Sequence, residues 1–108
     1  MNTSGFLRGM MAKGTDPERF IIHVANCVER ELKQWDENYR VVMMKLQNYE
    51  IYINYEDTSY HLTISEDELV ELKQKGPYSL NQRIWFDLQN QGMEIVMGYG
   101  NYLEYIFM

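Results

Sequence analysis

His23 and Cys27 stand four residues apart in "FIIHVANC", and on a helix that spacing makes neighbours of an imidazole and a thiol. Such a pair is half of a nucleophilic site, or two ligands of a metal centre. No third member accompanies it, and Cys27 falls on an apolar stripe where cysteine packs as a small hydrophobe. Glu50, Glu56 and Asp57 are carboxylates of the kind used in acid–base work, yet nothing in their spacing specifies a cleft. His61 is expected opposite Asn54 on the outer face of a strand. Gly98-Tyr99-Gly100 lacks the further glycine of a dinucleotide fingerprint and the Lys-Ser/Thr of a phosphate loop, so turn formation accounts for it. No cofactor and no metal is expected, and the chain reads as non-enzymatic.

The charge distribution is more telling. The net charge is −6, and residues 1–45 are near balance. Between Lys45 and Lys73 there is no Lys or Arg, whereas Glu50, Glu56, Asp57, Glu66, Asp67, Glu68 and Glu71 are all negative. That segment alone supplies the excess. Direct binding to nucleic acid is disfavoured by phosphate repulsion. Arg30, Lys33 and Arg40 are interleaved with Glu29, Glu31, Asp36 and Glu37, a solvated face rather than a basic patch.

These residues need elements to position them. The 108 residues suit one domain, with 45% apolar and 24% charged residues, a globular composition. A lone cysteine excludes an internal disulfide and fits a reducing, cytoplasmic setting. No stretch has signal-peptide character or the ~20 apolar residues of a membrane span. Residues 1–15, rich in Gly and small polar types, are expected to be flexible, leaving 16–108 as the folded α+β domain.

Asp16-Pro17 predicts a helix start, and Phe20, Val24, Cys27, Val28, Leu32 and Trp35 give it an apolar stripe. Alternation from Arg40 to Ile64 predicts a three-stranded antiparallel meander. A Gln47-Asn48 turn would set Leu46 opposite Tyr49, Met44 opposite Ile51, and Lys45 opposite Glu50. An Asp57-Thr58 turn would set Ile53 opposite Leu62. Ser65 to Glu68 reads as a capping box opening a helix that Gly76-Pro77 stops, and Ser79 to Gln82 reads as a second box. The ending "MEIVMGYGNYLEYIFM" suggests a β-hairpin across Gly98 to Asn101. The expected order is therefore α-β-β-β-α-α-β-β, an α+β fold with about five strands and three helices.

Three functions of different classes fit this pattern. The first is a protein-binding module, an inhibitor of the kind made by phages and mobile elements. Its acidic side would engage a basic, nucleic-acid-binding protein through Glu50, Tyr52, Glu56, Asp57, Glu66, Asp67 and Glu71. The second is a homodimer joined through the C-terminal hairpin. The third is a small enzyme with a carboxylate or Cys–His site. The first carries the expectation that the acids share one side of the molecule.

Overall fold

The computed structural model describes residues 16–107. The expectation for residues 1–15 lies outside the described residues. The order is α1 (Asp16–Trp35), β1 (Arg40–Lys45), β2 (Tyr49–Tyr55), β3 (Thr58–Ile64), α2 (Glu66–Lys75), α3 (Ser79–Asn90) and α4 (Tyr102–Ile106). This is an α+β architecture: a three-stranded antiparallel sheet in the order β1-β2-β3, with helices packed on one face.

The core forms where the helices meet the sheet. Val41, Met43, Tyr49, Ile51, Ile53, Leu62 and Ile64 point inward from the strands. Ile21, Val24, Ala25, Val28 and Leu32 cover them from α1, at the three- and four-residue spacing that makes one helical stripe. Leu69 and Leu72 come from α2, and Leu80, Ile84, Trp85 and Leu88 from α3. Trp85 is fully buried, and its ring lies 5.7 Å from Trp35 and 6.3 Å from Tyr102. Its indole N–H donates to the Tyr102 hydroxyl at 3.0 Å, and that hydroxyl donates to Asn81 Oδ1. Trp85, Tyr102 and Asn81 thus form a hydrogen-bonded chain, as burial demands.

The first hairpin differs from its expected register by one residue. Met43 faces Ile51, Val41 faces Ile53 and Lys45 faces Tyr49, so Val41 and Met43 are the core residues of β1. Leu46, Gln47 and Asn48 form the connection, closed by Leu46 N–H donating to Asn48 C=O at 3.0 Å. Alternation could not decide this, because Val41, Val42, Met43 and Met44 are apolar on both faces. A one-residue slip exchanges those faces. The second hairpin turns at Glu56-Asp57 instead of Asp57-Thr58, setting Ile51 opposite Leu62 and Tyr52 opposite His61. That is a slip of two, which keeps the same side chains inward. Glu56 takes the left-handed backbone (φ 53°), an unusual role for Glu and one the sequence does not announce.

Two helix starts also differ in detail. Ser65 accepts from the N–H of Glu68 at 3.1 Å, but the Glu68 carboxylate binds Arg83 rather than reaching back to complete the box. Ser79 caps nothing. Its hydroxyl donates to the carbonyls of Leu72 and of Gly76, fastening the end of α2 to the start of α3. The expected C-terminal hairpin does not form. Residues 93–101 are irregular, and residues 102–106 are the short helix α4. Leu103 and Ile106, three apart, are buried, and a helix period fits a run whose apolar residues lie on both faces of a strand. The sheet consequently has three strands, with four helices among the described residues.

Candidate interaction surface

The end of the sheet where β1 stops and β2 begins lies beside the first turns of α1 and α2. A groove of about 240 Å³ opens there, lined by Pro17, Glu18, Tyr49, Glu66, Leu69 and Val70. Its apolar lining comes from Pro17, Tyr49, Leu69 and Val70, and its two charged lining groups are carboxylates. Burial is the main reason the Tyr49 hydroxyl is pushed up to about 12, and the negative charges of Glu18 and Glu66 add to it.

The register of β1 brings a cation to this place. Lys45 follows Val41 and Met43 on the inward side, at the strand end where the core gives way to solvent. Its Nζ lies 3.2 Å from Glu66 Oε2 and 5.3 Å from the centre of the Tyr49 ring. It also donates to the carbonyls of Leu46 at 3.1 Å and Gln47 at 3.4 Å. Glu66 is more than half exposed and Lys45 one-quarter exposed. The pair with Glu50 expected from sequence does not form, because the two residues belong to opposite faces of the sheet.

Beside the groove, Asp67 and Glu71 occupy the next column of α2, one turn apart and exposed. Neither has an ion-pair partner among the described residues. Glu68, further round, is held by Arg83 Nε at 2.7 Å, and Arg83 also binds Asp87 at 2.8 Å. Three of the seven residues singled out by sequence, Glu66, Asp67 and Glu71, therefore stand together.

The others do not join them. Glu50 and Tyr52 lie on the outer face of the sheet, away from the helices. There Glu50 Oε1 accepts from the Thr63 hydroxyl at 2.7 Å and lies 2.7 Å from His61 Nε2. Those bonds, Thr63 first, hold the Glu50 carboxyl below the usual range. The Tyr52 ring stacks on His61 at 4.5 Å with 3° between planes. This is a self-satisfied surface quartet. Glu56 and Asp57 sit at the far hairpin tip, roughly 20 Å along β2 from the groove. The expectation that all seven acids share one side is not met.

The Cys–His pair is in place geometrically, with the Sγ of half-buried Cys27 3.8 Å from Nε2 of exposed His23. Cys27 shares a depression of about 160 Å³ with Arg30, Glu31, Gln34, Tyr99, Asn101 and Tyr102. Glu31 there accepts from the Trp35 indole at 2.9 Å, and burial pushes its carboxyl up. No group of three or more metal-ligating side chains gathers among the described residues. No described helix is long and apolar enough to cross a membrane.

Sequence reasoning missed Pro17, Glu18, Lys45, Tyr49, Leu69 and Val70. Their coming together depends on how α1 and α2 cross the end of the sheet, which no local pattern encodes. Comparison of the chain with protein-family models, with curated proteins and with solved structures finds no match.

Proposed function

We propose that the chain is a non-enzymatic protein-binding module whose α2 face and adjoining groove engage a basic segment of a partner protein. The observation that carries this reading is the groove itself, which brings the apolar surfaces of Tyr49, Leu69 and Val70 together with the carboxylates of Glu18 and Glu66. Asp67 and Glu71 extend the negative rim along the helix. Apolar contact supplies affinity in such a site, while charge selects the partner and steers its approach.

Charge density separates this from outright mimicry of nucleic acid. Duplex DNA carries one negative charge per about 1.7 Å of axis. The unpaired acids Asp67 and Glu71 are about 6 Å apart along α2, with Glu66 and Glu68 already ion-paired. The surface suits one or two cationic side chains with apolar neighbours better than a whole phosphate-tracking channel. A nucleic-acid-binding protein remains a partner of the right charge.

The test uses a defined probe, an N-acetylated peptide of arginine and leucine, followed by fluorescence anisotropy at low and high salt. Binding that weakens with salt and is lost when Glu66, Asp67 and Glu71 are changed to Lys supports the reading. Glu68 is left alone because it holds Arg83. Absence of binding at low salt, or binding indifferent to the three reversals, removes it.

A second reading is favoured by the C-terminal segment. Tyr78 stacks on Tyr105 at 6.0 Å and Phe86 packs on Phe107 at 5.4 Å, and Tyr78, Phe86 and Tyr105 are exposed. Exposed apolar ridges mark association surfaces. Self-association through this ridge replaces the dimer once expected from a hairpin. Sedimentation at micromolar concentration decides it, a 13.0 kDa species counting against.

A further inference from the structure

We infer that the groove is a receptor for a single lysine or arginine side chain of the partner, bound through Glu66, and that Lys45 engages the same carboxylate in the free protein. The inference rests on the binding reading above and assigns its central contact.

The setting of Lys45 is what a receptor for a cation looks like. An ammonium has three N–H donors, and here the carboxylate of Glu66 and the carbonyls of Leu46 and Gln47 receive them. The Tyr49 ring lies within cation–π distance. Two of these groups, Glu66 and Tyr49, also line the open groove. A partner side chain crossing Leu69 and Val70 would lay its methylenes on apolar surface, as long cationic side chains do. Its head would reach Glu66 from the side away from Lys45. Glu66 is exposed enough to turn from one cation to the other, and Lys45 keeps the hairpin carbonyls when it lets go.

The exchange leaves net charge at the carboxylate unchanged, one cation replacing another. Lys45 therefore acts as a built-in competitor, lowering the fraction of molecules whose Glu66 is free. Apparent affinity falls by that fraction. For a partly exposed ion pair the reduction is about fivefold at most. Lys73 is a fair control: it lies on the same helix as Glu66, roughly 10 Å away along the axis, and is not among the residues that line the groove or bind Glu66.

The experiment compares K45Q with K73Q, which remove the same charge, in binding the N-acetylated arginine–leucine peptide. K45Q is expected to tighten binding about fivefold. K73Q is expected to change it less than about twofold, since screening blunts a charge at that distance. Equal effects would show Lys45 to be one more repelling charge, overturning the competitor inference while the binding reading stands. No binding by either the parent or K45Q would overturn the reading itself. A second measurement avoids any effect of K45Q on folding. With the lysine-free peptide bound to the unaltered chain, amine-reactive ester labelling of Lys45 should rise while that of Lys73 and Lys75 does not. Labelling of Lys45 that stays constant or falls would sink the displacement.

Discussion

Met43→Ala and Met44→Ala form a matched pair that tests the register on which the groove depends. Met43 is fully buried against the helices, and Met44 stands on the outer face of the sheet, half-buried. Emptying a fully buried methionine position costs the lost transfer energy plus the cavity left behind, about 3 kcal/mol. The half-buried site should lose less than about 1 kcal/mol. For a chain of this size a urea slope near ~1.5 kcal/mol per molar converts the first figure into a midpoint lowered by roughly 2 M. Met44→Ala should move it by less than roughly 0.7 M. Total stability of about 5–15 kcal/mol leaves Met43→Ala folded and measurable. Urea denaturation followed by the fluorescence of Trp35 and Trp85 reads both midpoints, and equal slopes certify that only stability changed. A Met44→Ala loss as large as that of Met43→Ala would refute the register. With it would go the placement of Lys45 beside Glu66, because a one-residue slip sends Lys45 to the other face.

Three further outcomes are expected. The Tyr55 hydroxyl donates to Asp36 Oδ2 at 2.6 Å, which pushes Tyr55 up to about 12 and holds the Asp36 carboxyl below its usual value. A raised folded value loses its stabilisation as pH climbs from about 10 to 12, and a depressed one as pH falls below about 4. The Tm advantage over Tyr55→Phe should thus form a plateau between those limits and shrink at both ends; a pH-independent gap would contradict it. Burial raises the Glu31 carboxyl, so its ionised form weighs against folding at neutral pH. Glu31→Gln, which keeps an acceptor for the Trp35 indole, should raise Tm at pH 7, with the gain fading as pH falls through the carboxylate range. Gln91 pairs with the outer edge of β3 through both amide atoms, donating to His61 C=O at 2.9 Å and accepting from His61 N–H at 3.3 Å. Gln91→Ala should cost about 1 kcal/mol and speed hydrogen exchange at the His61 amide; unchanged exchange would show that the side chain does not cover that edge.

Much of the fold is legible wherever one periodicity has no competitor. Val24, Val28 and Leu32 of the α1 stripe, the inward faces of β2 and β3, and the start and stop of α2 follow from local spacing, capping and the Gly76-Pro77 break, whereas Ile21 and Ala25 take the core positions expected of Phe20 and Cys27. Legibility ends where two patterns fit equally well. The apolar run Val41 to Met44 allows either face inward, and the choice falls to tertiary contacts: Lys45 gains Glu66 and the Tyr49 ring only in the observed register. The run Tyr102 to Phe107 likewise alternates acceptably as a strand, but Leu103 and Ile106 reach the core together only as a helix. Glu56 adopts its left-handed turn without a glycine or asparagine to signal it.

The candidate site is legible by half for the same reason. Clustered carboxylates at Glu66, Asp67 and Glu71 are visible in sequence because helix spacing is local. The other half, Pro17 and Glu18 from α1 and Tyr49 from β2, arrives through packing, Tyr49 from about 20 residues away in the chain and Pro17 and Glu18 from about 50. Counted along the chain, all seven acids look available. Folding spends three of them on His61, Lys45 and Arg83, and carries Glu56 and Asp57 to the far end of the sheet. What survives is a smaller and more specific feature than a negative face. It is one carboxylate shared between an internal lysine and an open apolar groove, and that sharing makes Lys45, a residue of the wrong sign for an acidic site, the one whose removal should strengthen binding.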